Sequence, residues 1–275
     1  MPRLAGRKND EMRKISVVYE KLDRVDGSAR FGFGETQSIA SVSGPIEVRA
    51  NSESPSQATL EVHVRPLASI PGTDSKALSA ILKSILTPSL LLSQHPRTLV
   101  QIVGQALCGN ESGAGSGSAG RGWHASLVAS LVNACSAALI DASSIPMKGV
   151  VCAVAVGRIL DRDSPSSKPT LVVDPSEAEL AEMAGGGCFA FMFSATLPQT
   201  AISQDGFPPN TLLWTNYTAK SGIFDDDEFR QARQSAEQSA LQVWKSLKSS
   251  LQKVQGPVRQ ENNDAHLSDD ERMEI

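Results

Sequence analysis

Few residues of this chain combine the types and the spacing that chemistry requires. The four histidines lack the short spacings of metal ligands, and none stands beside a nucleophile motif. They are His63, His95, His124 and His266. The four cysteines are scattered through apolar segments and are expected to be reduced core thiols. They are Cys108, Cys135, Cys152 and Cys188. We therefore predict neither a metal site nor a cofactor.

A glycine- and serine-rich stretch at residues 109–122 precedes an apolar segment, as a phosphate-cradling loop would. It lacks the Gly-Lys-Ser/Thr ending that supplies positive charge and a contact to magnesium. Its composition is typical of mobile linkers. We therefore expect a flexible insert at this position.

The formal net charge of −4 is concentrated in one segment. Residues 256–275 contain six acidic residues and two arginines, so this segment alone sums to −4 and the remaining body is about neutral. The first fourteen residues carry five bases and two acids. We expect a basic N-terminal extension at residues 1–12, an acidic disordered tail at residues 255–275, and no tight autonomous binding of RNA. The tail could also recruit a basic partner or mimic nucleic acid.

The bulk composition is that of a protein with a substantial core. The chain has 275 residues, of which 40% are hydrophobic, enough for one domain of generous size or two small ones. Its opening residues do not resemble a signal peptide, and no apolar run reaches the roughly 20 residues that a membrane span needs. We expect a soluble, intracellular protein with no membrane contact.

The elements that would position functional residues follow an α+β order. Strands are predicted within residues 15–48 and 58–67, and helical spacing then begins at Thr73, with Thr73 or Asp74 as N-cap and Pro88 ending the helix. A further strand precedes an apolar, enclosed helix at residues 123–141. More strands, a short helix at residues 176–183 and a long amphipathic helix after Asp225 complete a single body.

Several segments together resemble one known family. DRVDGSARFGFGETQSIASVSGPIEV, at residues 23–48, closely resembles the opening sheet of RNase PH-like proteins. ATLEVHVRP followed by IPG, HPRT at residues 95–98 and LVNACSAALIDASSIPMKGVVCAVAVG at residues 131–157 resemble ring subunits of the eukaryotic RNA exosome. The resemblance covers about residues 13–251. It implies an RNase PH-like domain at residues 13–254 with the split β-α-β fold, also called ribosomal protein S5 domain 2-like.

Active members of this family degrade RNA from its 3′ end by phosphorolysis, so the resemblance implies where phosphate would bind. A Thr-Arg pair at the start of the central helix holds phosphate, because a helix N-terminus and a guanidinium both stabilise an anion. In this chain that pair falls on Leu127 and Val128, which can neither carry charge nor donate a side-chain hydrogen bond. The resemblance therefore implies that the phosphate site is missing.

The other two parts of the family's active site are also altered. The first carboxylate of a pair six residues apart matches Asp174, but the second position is Leu180, with Glu179 and Glu182 out of register. We interpret Asp174 as the cap of the following helix rather than a relic ligand. Where active members carry paired arginines for the RNA backbone, this chain has a serine followed by Lys76, either an RNA contact or a solvated lysine.

The resemblance thus implies a non-catalytic subunit that forms part of the exosome ring and its RNA channel. Expected partners are the other RNase PH-like ring subunits, RNA-binding cap subunits and a hydrolytic exoribonuclease. Expected roles are ribosomal RNA maturation and messenger RNA turnover, in the nucleus, nucleolus and cytoplasm. Two alternatives remain open: an active phosphorolytic exoribonuclease that uses Asp174 with Glu179 or Glu182, and an independent nucleic-acid-binding homo-oligomer.

Overall fold

A computed structural model of the chain describes residues 3, 6–68, 70–108, 123–160, 169–197, 208–220 and 224–255. These residues form ten β-strands and three α-helices, which confirms the predicted α+β class. The insert predicted at residues 109–122 lies outside the described residues. So does the predicted tail, apart from Gln255, which ends the last helix.

The first sheet has five strands in the order β1-β2-β3-β5-β4. Only β4 and β5 run parallel, which requires a crossover, and α1 (Thr73–Leu86) supplies it. Buried and partly exposed residues alternate along β3 to β5, so one face of the sheet points to the core. The strands are β1 (Ile15–Tyr19), β2 (Gly27–Phe33), β3 (Thr36–Glu47), β4 (Thr59–Arg65) and β5 (Thr98–Ala106).

The second sheet is antiparallel, with the order β10-β8-β6-β7 and β9 paired to β8. Its strands are β6 (Val150–Ile159), β7 (Thr170–Val173), β8 (Met183–Phe193), β9 (Asn210–Thr215) and β10 (Thr218–Ala219). The apolar runs of β6 and β8 are buried almost throughout, because helices cover the sheet.

Helix α2 (Ala125–Ala142) lies between the two sheets. Every residue from 126 to 139 is buried, and the helix contacts β2 and β3 on one side and β6 and β8 on the other. Gly27 permits this close approach, because a Cβ there would collide with the carbonyl oxygen of Ala138. The helix is long and apolar enough to cross a membrane, but 78% of it is buried within the protein. It is therefore the enclosed core helix that the sequence predicts.

Helices α1 and α3 lie where the sequence predicts them, and only the N-cap of α1 differs. Helix α3 (Asp226–Gln255) has Asp226, Asp227 and Glu228 in its first turn, which suits the helix dipole. Helix α1 ends before Pro88, as expected. Its N-cap is Gly72, however, and neither Thr73 nor Asp74. The reason is that Gly72 is the last residue with extended backbone, and it has no side chain with which to cap the helix.

The cysteines are free thiols, and three of them lie in the core as predicted. Cys135, Cys152 and Cys188 are buried, while Cys108 is half-buried. Burial raises the pKa of the Cys135 thiol to about 12. Such a thiol is neutral at physiological pH and serves as a small apolar core residue.

Candidate active site

At the start of α2, buried aliphatic side chains and a histidine cap stand where the resemblance places the phosphate-binding pair. Leu127 is fully buried and Val128 is 3% exposed. The imidazole Nδ1 of His124 accepts a hydrogen bond from the Leu127 N–H at 3.2 Å, so His124 is the N-cap. The His124 carbonyl also accepts from the N–H groups of Leu127 and Val128. These backbone donors, which could otherwise hold a phosphate, are thus already used.

His124 is suited to this role only while it is neutral. It is 6% exposed, and burial together with the nearby charge of Arg13 lowers the pKa of its imidazole to about 4. A neutral imidazole can accept a hydrogen bond at Nδ1, whereas a protonated one cannot. Histidine is not among the preferred N-cap residues, which is why the sequence did not indicate this role.

Asp174 lies directly after β7 and faces the N-terminal segment. It is 1% exposed, and its carboxylate receives hydrogen bonds from the Arg13 guanidinium at 2.8 Å and 2.6 Å and from the Arg13 backbone N–H at 3.0 Å. The predicted capping role is wrong. Ser176 is the N-cap of the following 3-10 helix, and its N–H donates to the Glu179 carboxylate. Asp174 adopts left-handed backbone (φ 47°) beyond the strand and neutralises a guanidinium that would otherwise be half-buried and unpaired.

Two further arginines complete a buried charge cluster. Arg3 binds the Glu179 carboxylate at 3.1 Å and the Asp174 carbonyl oxygen at 3.0 Å. Arg7 lies 3.3 Å from the Glu179 carboxylate and 3.8 Å from that of Asp174. Burial and the neighbouring Arg3 lower the pKa of Arg7. Sequence reasoning assigned these charges to an extension. The boundary at residue 13 stays a prediction, but both arginines pack against the domain.

The remaining acidic positions do not form a metal site with Asp174. Burial alone would raise the pKa of Glu179, but hydrogen bonds from Arg3 and from the Ser176 N–H outweigh it and lower the pKa. Leu180 is half-buried and Glu182 is exposed. Over the ranges that the structure describes, no three His, Cys, Asp or Glu side chains are grouped so that they could hold a metal. The carboxylates of Asp174 and Glu179 are therefore both paired with arginine side chains.

Lys76 lies elsewhere, in an open cleft between β4 and α1. The cleft has a volume of about 530 Å³, and its lining contains Lys76, Arg65, His63 and Gln105 but none of residues 124–128 or 174–180. Among the described residues no salt bridge involves Lys76 or Arg65. His63 and Arg65 are two residues apart and exposed on an edge strand, a spacing that places both side chains on one face. That spacing could have grouped His63 with Arg65, whereas their proximity to Lys76 of α1 is seen only in the structure.

The sequence of this chain is similar to those of several known proteins. Residues 11–144 match the model of the 3′ exoribonuclease family, domain 1. The rice (Oryza sativa subsp. japonica) protein named exosome complex exonuclease RRP46 homolog is 31% identical over 177 residues, which cover 64% of this chain and 65% of that protein. The Saccharomyces cerevisiae exosome complex component RRP46 is 34% identical over 159 residues, covering 58% and 65%. The chain thus spans about two-thirds of the length of these relatives, 65% in each case.

The fold can also be compared with a solved structure. The crystal structure of rice Rrp46 superposes with a TM-score of 0.69 and 25% sequence identity. The match covers 91% of this chain and 100% of the rice chain. It therefore extends over both sheets and beyond the segment that matches the family model.

Proposed function

From the premise that this chain carries an RNase PH domain and is homologous to Rrp46 subunits, we propose that it is a non-catalytic ring subunit of an RNA exosome. The observation that carries the proposal is the apolar, histidine-capped start of α2. Aliphatic Leu127 and Val128 are buried there, and His124 occupies the adjacent backbone donors. The family resemblance and the RNase PH fold predicted from the sequence are confirmed.

Phosphorolysis would require several unfavourable changes at this site. A phosphate ion would have to displace His124 and lie against apolar side chains without a guanidinium, and each missing charge-assisted hydrogen bond forfeits about 1.5–3 kcal/mol. A divalent cation would have to separate Asp174 from Arg13, and breaking a buried pair of this kind costs about 3–5 kcal/mol. Both penalties support a structural role for the domain rather than a catalytic one.

In this role the domain contributes its shape and its contact surfaces to the ring rather than a chemical reaction. The domain forms part of the ring wall, and the cations Lys76 and Arg65 make weak contacts with the RNA backbone that add to those of other subunits. Its partners are the other RNase PH-like ring subunits, the RNA-binding cap subunits and a hydrolytic exoribonuclease. The complex matures ribosomal RNA and turns over messenger RNA in the nucleus, nucleolus and cytoplasm. The names of the rice and yeast relatives, which place those proteins in exosome complexes, support the assembly.

Purification of the full chain from its own cells tests the assembly. We expect the tagged protein to co-purify with other exosome subunits in fixed proportion. Imaging of the same tagged protein tests its placement in the nucleus, nucleolus and cytoplasm. A stable homo-oligomer that ignores the other ring subunits in gel filtration with mass measurement would instead support an independent nucleic-acid-binding protein.

A second candidate function is an active exoribonuclease. The name of the rice relative contains the word exonuclease. Asp174 and Glu179 supply two carboxylates close together in space, both within 4 Å of the Arg7 guanidinium. Incubation with magnesium, phosphate and a 3′-tailed RNA separates the candidates. We expect no nucleoside diphosphates from the wild-type chain. Phosphate-dependent release that disappears in Asp174→Asn would overturn the non-catalytic proposal.

A further inference from the structure

The cleft between β4 and α1 has chemistry that matches a segment of the same chain. We propose that residues 256–275 dock in this cleft in cis and compete there with anionic ligands. The docking itself is independent of the proposed exosome function. Only its consequence for RNA, described below, rests on that function.

The cleft presents two fixed cations beside an apolar rim. Arg65 and Lys76 contribute the charges, and no carboxylate is among the lining residues. The nearest acids on the same elements are Glu61, which lies 3.7 Å from the His63 imidazole, and Asp74 in the first turn of α1. The rim includes the apolar side chain of Leu67, which is 45% exposed.

The loop that leads into α1 extends the apolar surface. Ile70 is 88% exposed, the largest exposure among the exposed large hydrophobic residues of the described chain. Together with Leu67, it places two exposed aliphatic side chains next to the cations of the cleft, where apolar side chains of a ligand can cover them. An occupant of this cleft should therefore be acidic and should carry aliphatic side chains.

Residues 256–275 meet both requirements. Six acids against two arginines give the segment a net charge of −4. Leu267, Met273 and Ile275 are interspersed among the acids. The rest of the chain is about neutral, so this segment is its most concentrated source of negative charge.

The geometry allows the segment to reach the cleft. The hydroxyl groups of Ser250 and Tyr19 lie 3.0 Å apart, so the end of α3 is beside β1. Strands β1 and β4 are the two edges of the first sheet, four steps apart, or about 19 Å at about 4.8 Å a step. Twenty residues can extend over about 66 Å. The segment can therefore pass around the sheet and still place its acids in the cleft.

Docking in cis would make the segment a competitor of RNA. A tethered segment acts at an effective concentration in the millimolar range, so even weak ion pairs populate the docked state. If the cleft contacts the RNA backbone as proposed, RNA must displace the segment first. The apparent affinity for RNA is then the intrinsic affinity multiplied by the fraction of cleft that is free.

Zero-length cross-linking of the full chain with a carbodiimide tests the docking directly. We expect Lys76 to couple to carboxylates of residues 256–275, as read by mass spectrometry. Lys83 is exposed two turns further along α1 and serves as the matched control. We expect its coupling yield to be at least about fivefold lower, since at physiological salt charges more than about 8 Å apart are largely screened. Equal yields at Lys76 and Lys83 would overturn the proposal.

Two variants make the result specific to the cleft. Arg65→Glu should reduce the Lys76 coupling several-fold, whereas Arg24→Glu, which changes another exposed arginine, located near β1, should leave it unchanged. Mixing ¹⁴N- and ¹⁵N-labelled protein distinguishes coupling within one chain from coupling between copies. Coupling found mainly between copies would contradict docking in cis.

Binding of a short single-stranded RNA then tests the competition. Replacing the six acids of the segment with Asn or Gln should raise RNA affinity about two- to tenfold in the wild-type cleft. The same replacement should have a clearly smaller effect when Lys76 is already alanine, because Arg65 is then the remaining cation of the two. If no RNA binds to any variant while the Lys76 cross-link persists, the proposed RNA contact fails and the docking stands. If RNA binds but the replacement changes nothing, competition is excluded.

Discussion

The start of α2 and the cleft beside α1 both gather positive charge, but they hold it differently. At the start of α2, the guanidinium of Arg13 is bound to a carboxylate that is 1% exposed. In the cleft, Arg65 and Lys76 stand exposed, and among the described residues neither is in a salt bridge. Buried, paired charges contribute to folding, whereas exposed charges are available to a ligand. Under the proposed function, the paired cluster therefore has a structural role, and the exposed cations of the cleft are the ones that can contact a ligand.

The largest expected effect comes from breaking the buried cluster. Arg13→Ala leaves Asp174 buried without its guanidinium, which should lower the free energy of unfolding by about 3–5 kcal/mol. Urea unfolding followed by circular dichroism measures the change. Asp174→Asn leaves Arg3, Arg7 and Arg13 against the single carboxylate of Glu179, so it should destabilise the protein at least as much as Arg13→Ala does.

An exposed ion pair of the same length serves as the control. Arg230 and Asp226 also lie 2.6 Å apart, but their side chains are 71% and 69% exposed. Arg230→Ala should change the free energy of unfolding by no more than about 0.5 kcal/mol, because solvent screens such pairs. If the two arginine variants lost the same stability, the contrast between buried and exposed charge would be refuted.

The next effect is a pH dependence at the start of α2. The pKa of His124 is lowered from 6.5 to about 4 by burial and Arg13, so the unfolded chain takes up a proton before the folded chain does. Stability should therefore fall as pH drops through 6.5, by about 2 kcal/mol between pH 6.5 and 5, and should level off below pH 4. Urea unfolding at a series of pH values measures this slope.

His124→Asn isolates the contribution of the imidazole. Asparagine is a preferred N-cap with a side-chain oxygen that does not titrate. The variant should fold with similar stability at pH 7 and lose most of the slope between pH 6.5 and 5. A slope identical to that of the wild type would mean that other groups cause the pH dependence. Protonation of His124 would then not be what lowers the free energy of unfolding.

The same contrast explains what the sequence could predict. Local patterns predicted a strand within residues 58–67 and a long amphipathic helix after Asp225, which the structure shows as β4 and α3. The charge cluster escaped prediction because Arg3 and Glu179 are 176 residues apart and meet only in the fold. No local rule connects a basic N-terminal stretch to a carboxylate after β7. The resemblance could identify Leu127 as unsuited to phosphate, but only the structure reveals that His124 caps the helix there.

Substitutions in the cleft should have the smallest effects on stability. RNA binding is the more sensitive measurement for these variants. Lys76→Ala and Arg65→Ala should each change the free energy of unfolding by less than about 0.5 kcal/mol, because both side chains are exposed. Each should weaken binding of single-stranded RNA a few-fold. Each should also reduce the salt dependence of the binding constant by about 0.7 in the logarithmic slope, the value for one phosphate contact.

Lys83→Ala separates a cleft contact from a general effect of charge. Lys83 has the same charge on the same helix but lies in its last turn, outside the cleft lining. Its removal should leave the salt slope unchanged, because no phosphate contact is lost. Equal changes for Lys76 and Lys83 would mean that RNA responds to the overall electrostatic field of the domain. The cleft would then not be a specific binding surface, and its contrast with the buried charge cluster would have no functional meaning.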